Sequence, residues 1–89
     1  MNNINQFKES FNDLIQLCLD IPSVTLQDAV LSINRQVSKL GQQDMEIAAD
    51  LIEELMIHVN DLDQDEADEY QDILKEINDT ADELREELF

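Results

Sequence analysis

Carboxylates are the reactive groups that dominate this chain. Its 89 residues contain 22 Asp and Glu against five Lys and Arg, which gives a formal net charge of −17. In the last third, eight acids share the helical face opposite an apolar seam: Asp68, Glu69, Asp72, Glu76, Asp79, Asp82, Glu83 and Glu86. Like charges three or four residues apart on a helix each cost about 0.2–0.5 kcal/mol. Because folding does not require such a face, we interpret it as a surface for a cationic partner.

A calcium-binding loop is the metal site that these carboxylates resemble most. Five acids fall at offsets that supply oxygen ligands in such a loop: Asp61, Asp63, Asp65, Glu69 and Asp72. Glu66 stands where the sharp bend needs a glycine, and Asp68 stands where an apolar residue normally packs. A helix start rich in acids, stabilised by the helix dipole, accounts for the same residues. We predict no metal site and no cofactor, and weak cation binding by this segment is left open.

Two other side chains are candidates for catalysis. His58 follows Glu54 by four residues, a spacing that permits acid–base chemistry but is more typical of a surface ion pair or a partly buried histidine. Cys18 falls on an apolar helical face, as a small buried residue does. The sequence has one His and no glycine-rich phosphate loop. We therefore predict that the protein is not an enzyme.

The elements that position these groups are predicted to be helices. One Gly, one Pro and 4% aromatic residues leave many helix formers and few strand signals. Apolar residues recur at helical spacing in four segments, 3–19, 26–40, 44–60 and 63–88. Pro22 ends the first segment, and a capping box from Thr25 to Asp28 begins the second. Gly41 is expected to cap the end of the second segment, and Asp44 the start of the third.

The predicted fold is all-α, with residues 1–89 forming one domain. Short connections favour a small antiparallel bundle of about four helices, the last of them long. The apolar seam of the last helix has coiled-coil spacing, with Ala67, Tyr70, Leu74, Ile77, Ala81, Leu84 and Leu88 at alternating steps of three and four. As an alternative, this helix pairs with its copy in a homodimer. Phe89 is either a packing residue or an exposed anchor for a partner.

The negative charge is concentrated in the second half of the chain. Residues 1–40 carry a net charge of −1, residues 41–60 carry −5 and residues 61–89 carry −11. This field disfavours direct binding to nucleic acid or to an anionic membrane, and it favours a basic protein surface. The sequence has no signal-peptide pattern and no apolar run near the roughly 20 residues of a membrane span. We expect a cytoplasmic protein.

These observations favour a small acidic inhibitor that occupies the basic nucleic-acid-binding surface of a partner protein, as a DNA or RNA mimic. In charge and size alone, the chain is analogous to anti-defence proteins directed against restriction, CRISPR or host nucleases. Asp50, Glu53 and Glu54 of the third helix are expected to adjoin the last helix and to raise its charge density. Two alternatives remain: an immunity protein or antitoxin for a basic toxin, and a helical oligomerisation module with a solvated acidic face.

Overall fold

The computed structural model describes residues 3–41 and 43–88, and within these ranges the chain forms five helices and no strand. The helices are α1 (Asn3–Leu19), α2 (Val24–Ser38), α3 (Met45–Asn60), α4 (Gln64–Glu69) and α5 (Gln71–Leu88). The prediction of a small all-α bundle is confirmed. Among the described residues, no helix combines the length and the apolar character needed to cross a bilayer.

The four long helices form an antiparallel bundle. α1 packs against α2 and α5, and α3 packs against the same two helices, so α2 and α5 lie at diagonally opposite corners. The Lys8 ammonium donates a hydrogen bond of 2.6 Å to the Leu40 carbonyl, which joins the start of α1 to the end of α2. Arg85, near the end of α5, reaches Glu53 in α3. The short α4 packs against α5.

The core is built from one apolar stripe of each long helix. Phe7 and Phe11 of α1 are almost fully buried, with ring centroids 5.6 Å apart. On α5, Ile77, Ala81 and Leu84 are at most 2% exposed. These three seam residues are therefore packed inside the bundle, whereas Ala67, Tyr70 and Leu74 of the seam are partly exposed. Pairing of the last helix with a second copy stays a prediction. Phe89 lies outside the described residues, so its role as an anchor stays a prediction.

The boundaries of α2 differ from the prediction by two residues at each end. Ser23, not Thr25, is the N-cap, and its hydroxyl accepts a hydrogen bond of 3.3 Å from the Leu26 N–H. At the other end, Lys39 is the C-cap, and no glycine in the described part of the chain has a positive φ. Gly41 instead donates its N–H to the Asp44 carboxylate at 2.8 Å. The predicted glycine cap was wrong because this carboxylate holds the turn.

The last predicted helix is divided into α4 and α5 at Tyr70. This residue has φ −110° and ψ 28°, outside the helical values. Its N–H donates to the Glu66 carbonyl at 3.0 Å, and its own carbonyl accepts from the Leu74 N–H at 2.9 Å. Tyr70 thus ends one helix and begins the next while its own N–H and carbonyl both stay hydrogen-bonded. The apolar spacing continues across this residue, which is why the pattern predicted one long helix.

Candidate partner-binding surface

All eleven carboxylates predicted to contact a partner are exposed. Asp68 and Glu69 lie on α4, and three others lie on α3: Asp50, Glu53 and Glu54. The remaining six lie on α5: Asp72, Glu76, Asp79, Asp82, Glu83 and Glu86. No Asp or Glu of the chain is buried, and only Asp44 and Glu66 are partly covered. The charges are therefore placed where a partner can reach them.

Few of these carboxylates are neutralised within the molecule. Across residues 3–41 and 43–88, the one ion pair joins an Arg85 nitrogen to a Glu53 oxygen at 3.7 Å. Its two side chains are 42% and 63% exposed, and ion pairs so open to water contribute about 0–1 kcal/mol. Although α5 carries Lys75 and Arg85, the other acids have no ion-pair partner among the described residues, and their attraction is available to an external cation.

The predicted adjacency of α3 and α5 holds for two of the three α3 acids. Asp50 and Glu53 line a groove between these helices, together with Glu46 and Arg85. Glu54 follows Glu53 and is therefore turned by about 100° around the helix axis. Glu54 is not among the residues that line the groove. Arg85 offsets part of the negative charge in this groove.

A second groove, between α1 and α5, contains acids and no cation. It is lined by Glu83 and Glu87 of α5 and by Asp13 and Ser10 of α1, with Thr80 and Leu84 at its floor. The sequence analysis missed Asp13 and Glu87. Glu87 follows Glu83 by four residues, a spacing that places both on one helical face. Asp13 belongs to the nearly neutral part of the chain, and only the packing of α1 on α5 brings it here.

The exposed acids of α4 and α5, with Asp50 and Glu53 of α3 and Asp13 of α1, are named here the acidic surface. The molecule is 42 Å long and 22 by 17 Å across. The four residues that are not described carry no ionisable side chain, so the net charge of −17 applies to this length. It corresponds to about one net charge per 2.5 Å, between the values of roughly 1.7 Å for duplex DNA and 3.4 Å for one strand.

The residues that resemble a calcium loop do not form a loop in the fold. Asp65 and Glu69 lie within α4, Asp72 lies in α5, and Asp61 and Asp63 flank the turn before α4. Within the described chain, no group of three or more His, Cys, Asp and Glu side chains is arranged to hold a metal ion. A calcium loop directs its ligands with a non-helical backbone, whereas the backbone of α4 and α5 is helical.

His58 lies in a shallow crevice where the start of α2 meets the turn after α3. Ser23, Leu26, Asp61 and Glu66 line the same crevice. In the part of the chain that the structure describes, no ion pair joins His58 to Glu54. Cys18 is fully buried, and its burial raises the thiol pKa to about 12. At neutral pH Cys18 is therefore a protonated core residue, as its apolar context predicted, and not a nucleophile.

The acidic surface alters the ionisation of one neighbouring side chain. Tyr70 packs partly against the core at the junction of α4 and α5. Desolvation of its phenol, and then the negative charges of Glu69 and Glu66, raise its pKa above the ordinary value of 10.0. A negative field disfavours a further anion, so Tyr70 reports the potential at this end of the surface.

The chain matches no protein-family model, and neither the curated proteins nor the solved structures contain a significant match to it. The chemistry of the acidic surface itself is therefore the basis for a proposed function.

Proposed function

We propose that this protein binds a basic, nucleic-acid-binding surface of a partner protein and blocks access of DNA or RNA to it. The proposal is supported above all by one observation: exposed carboxylates cover α4 and α5, and the one ion pair among the described residues is weak and open to water. Carboxylates without ion-pair partners attract the cationic side chains of other molecules. Lys and Arg side chains that normally hold phosphates are the chemically matched partner.

The mechanism is competition for the same cations. A partner that neutralises phosphates has a cluster of Lys and Arg that releases counterions when nucleic acid binds. Carboxylates on a preformed helix offer those cations another set of oxygens at little cost in conformational entropy. Asp72, Asp79 and Glu83 are distributed along α5, and we propose that they contact successive cations of the partner. Binding is then strong at low salt and weakens steeply as salt increases.

Capture of the partner is the first part of the test. The protein is immobilised, proteins from the source cell are bound at low salt, and the captured partner is purified. A variant with Asp79→Lys and Glu83→Lys is compared with a control that has Glu9→Lys and Asp20→Lys. Both variants change the net charge by the same amount, and all four sites are exposed. We expect the α5 variant to lose at least about tenfold in affinity, which corresponds to about 1.4 kcal/mol, and the control to bind nearly as well as the natural protein.

Two outcomes contradict the proposal. If both variants lose the same affinity, only total charge matters and the acidic surface is not the binding site. If the partner binds nucleic acid and this protein at the same time, mimicry is excluded. In that case an immunity protein or antitoxin that holds a basic toxin away from its nucleic-acid-binding groove becomes the better description.

A further inference from the structure

The outer side of α2 has properties that the acidic surface does not explain. α2 contains one Asp and one Arg and is neutral, whereas the acids and bases of α3, α4 and α5 give these helices net charges of −4, −4 and −5. Two large apolar side chains point outward from it, Val24 at 74% exposure and Leu31 at 44%. This side is therefore a partly apolar region with no net charge on a strongly acidic molecule.

Five of the eight exposed residues of α2 form a second seam, on the side away from the core. They recur at alternating steps of four and three, in the order Val24, Asp28, Leu31, Arg35 and Ser38. A different set of α2 residues is buried in the core: Leu26, Val30, Ile33 and Val37. Steps of three and four are typical of a helix that packs lengthwise against another helix. Only the inner seam has a partner within the chain.

The outer seam of α2 is complementary to itself when a second copy is antiparallel. With Leu31 placed opposite Leu31 of the second copy, Asp28 lies opposite Arg35, and Val24 lies opposite Ser38. A two-fold axis repeats the Asp28–Arg35 pairing on both sides of the central leucines. Within the described chain, neither Asp28 nor Arg35 takes part in an ion pair. Each charge therefore has a matched partner only in a second molecule.

We propose that two copies of this protein associate through α2, antiparallel and related by a two-fold axis. Between molecules of net charge −17, most faces repel. α2 is diagonally opposite α5, so this arrangement places the two α5 helices on the outer sides of the pair.

The flank of α1 next to α2 is also compatible with this contact. Asn5, Asn12 and Gln16 lie within a quarter turn of Lys8, which contacts the end of α2, and all three are exposed and uncharged. One helix pair of this length is a small interface, so the dimer is weak and forms in the micromolar range or above. In it the carboxylates of the two α5 helices face outward on opposite sides and remain free to bind.

A pair of charge substitutions tests this arrangement on the full chain. Sedimentation equilibrium gives the dimer dissociation constant for the natural protein, for Asp28→Arg and for Arg35→Asp. Each variant places like charges opposite each other at two positions, so each should dimerise at least about tenfold more weakly. When the two variants are mixed in equal amounts, both ion pairs are restored in a heterodimer. The mixture should therefore regain dimerisation close to that of the natural protein.

A control variant with Asp79→Arg makes the same charge change on α5 as Asp28→Arg makes on α2, and it should not weaken dimerisation. All three sites are exposed, and circular dichroism verifies that each variant keeps its helical content. A natural protein that stays monomeric at millimolar concentration overturns the proposal. Single variants that dimerise as tightly as the natural protein, or a mixture that stays monomeric, also overturn it. The proposal does not rest on the proposed function, because no partner protein is needed for this measurement.

Discussion

Tyr70 connects the packing of the chain with its charge. Its backbone separates α4 from α5, its ring packs partly on the core, and its phenol lies beside the carboxylates of Glu66 and Glu69. The pKa of Tyr70 therefore depends both on packing against the apolar core and on the neighbouring carboxylates. Cys18 shows the opposite extreme, because its thiol is buried among apolar side chains and its pKa is raised by desolvation alone.

The titration of Tyr70 reports the desolvation of its phenol together with the negative charges of Glu69 and Glu66. The chain has one Tyr and no Trp, so the ultraviolet absorbance of tyrosinate belongs to this residue. We expect a midpoint above 10.0 in the folded protein and one near 10.0 in concentrated urea. Since the folded state favours the neutral phenol, this contribution to stability is present below the unfolded pKa and is lost as pH rises through the raised, folded-state pKa.

Replacing the neighbouring carboxylates separates the two causes of this shift. A variant with Glu66→Gln and Glu69→Gln should titrate at lower pH than the natural protein but still above the unfolded chain, because desolvation remains. Glu86→Gln, near the other end of α5, is the control and should leave the midpoint unchanged. Equal midpoints in the folded and unfolded protein would show that Tyr70 does not sense the surface.

The start of α2 depends on a single capping residue. The Ser23 side chain is largely buried and accepts a hydrogen bond from the Leu26 N–H. We expect Ser23→Ala to lower the free energy of unfolding by about 0.5–2 kcal/mol, measured by urea denaturation. Ser38→Ala is a matched control, since the Ser38 hydroxyl is exposed and bonds only to the Asn34 carbonyl within its own helix. Equal losses in the two variants would contradict a special role for the cap.

The sequence predicted the helices well where one amphipathic stripe spans a whole segment, as in α1 and α3. It failed at single-residue features. Gly41 was predicted to cap the end of α2, but its φ is not positive and its N–H donates to the Asp44 carboxylate. The apolar spacing is the same on both sides of Tyr70, although the backbone angles of this residue are not helical. The spacing alone therefore did not predict the division between α4 and α5. Likewise, the sequence pattern does not predict that Asp13 lies near Glu83, because their proximity comes from the packing of α1 on α5.

The whole molecule carries more like charge than its fold can neutralise. With a net charge of −17 and one weak ion pair among the described residues, the folded state is opposed by self-repulsion. We expect the melting temperature to rise as NaCl increases from about 0.01 M to about 0.5 M, because the screening length falls from roughly 30 Å to below 10 Å. Thermal unfolding followed by circular dichroism measures this.

A variant with less negative charge provides the control for the effect of NaCl on the melting temperature. The variant with Asp79→Lys and Glu83→Lys removes part of the repulsion, so its melting temperature should start higher at low salt and rise less with NaCl. A melting temperature of the natural protein that is constant or falls with NaCl would show that the acids are neutralised in a way that the structure does not display.

Competition between this protein and nucleic acid tests the central claim most directly. The captured partner is bound to a fluorescent duplex, and the protein is added while fluorescence anisotropy reports the fraction of duplex still bound. We predict full displacement by the natural protein and by the Glu9→Lys, Asp20→Lys control, with at least about a tenfold higher concentration needed for the Asp79→Lys, Glu83→Lys variant. A partner that keeps its duplex while saturated with this protein would contradict the claim.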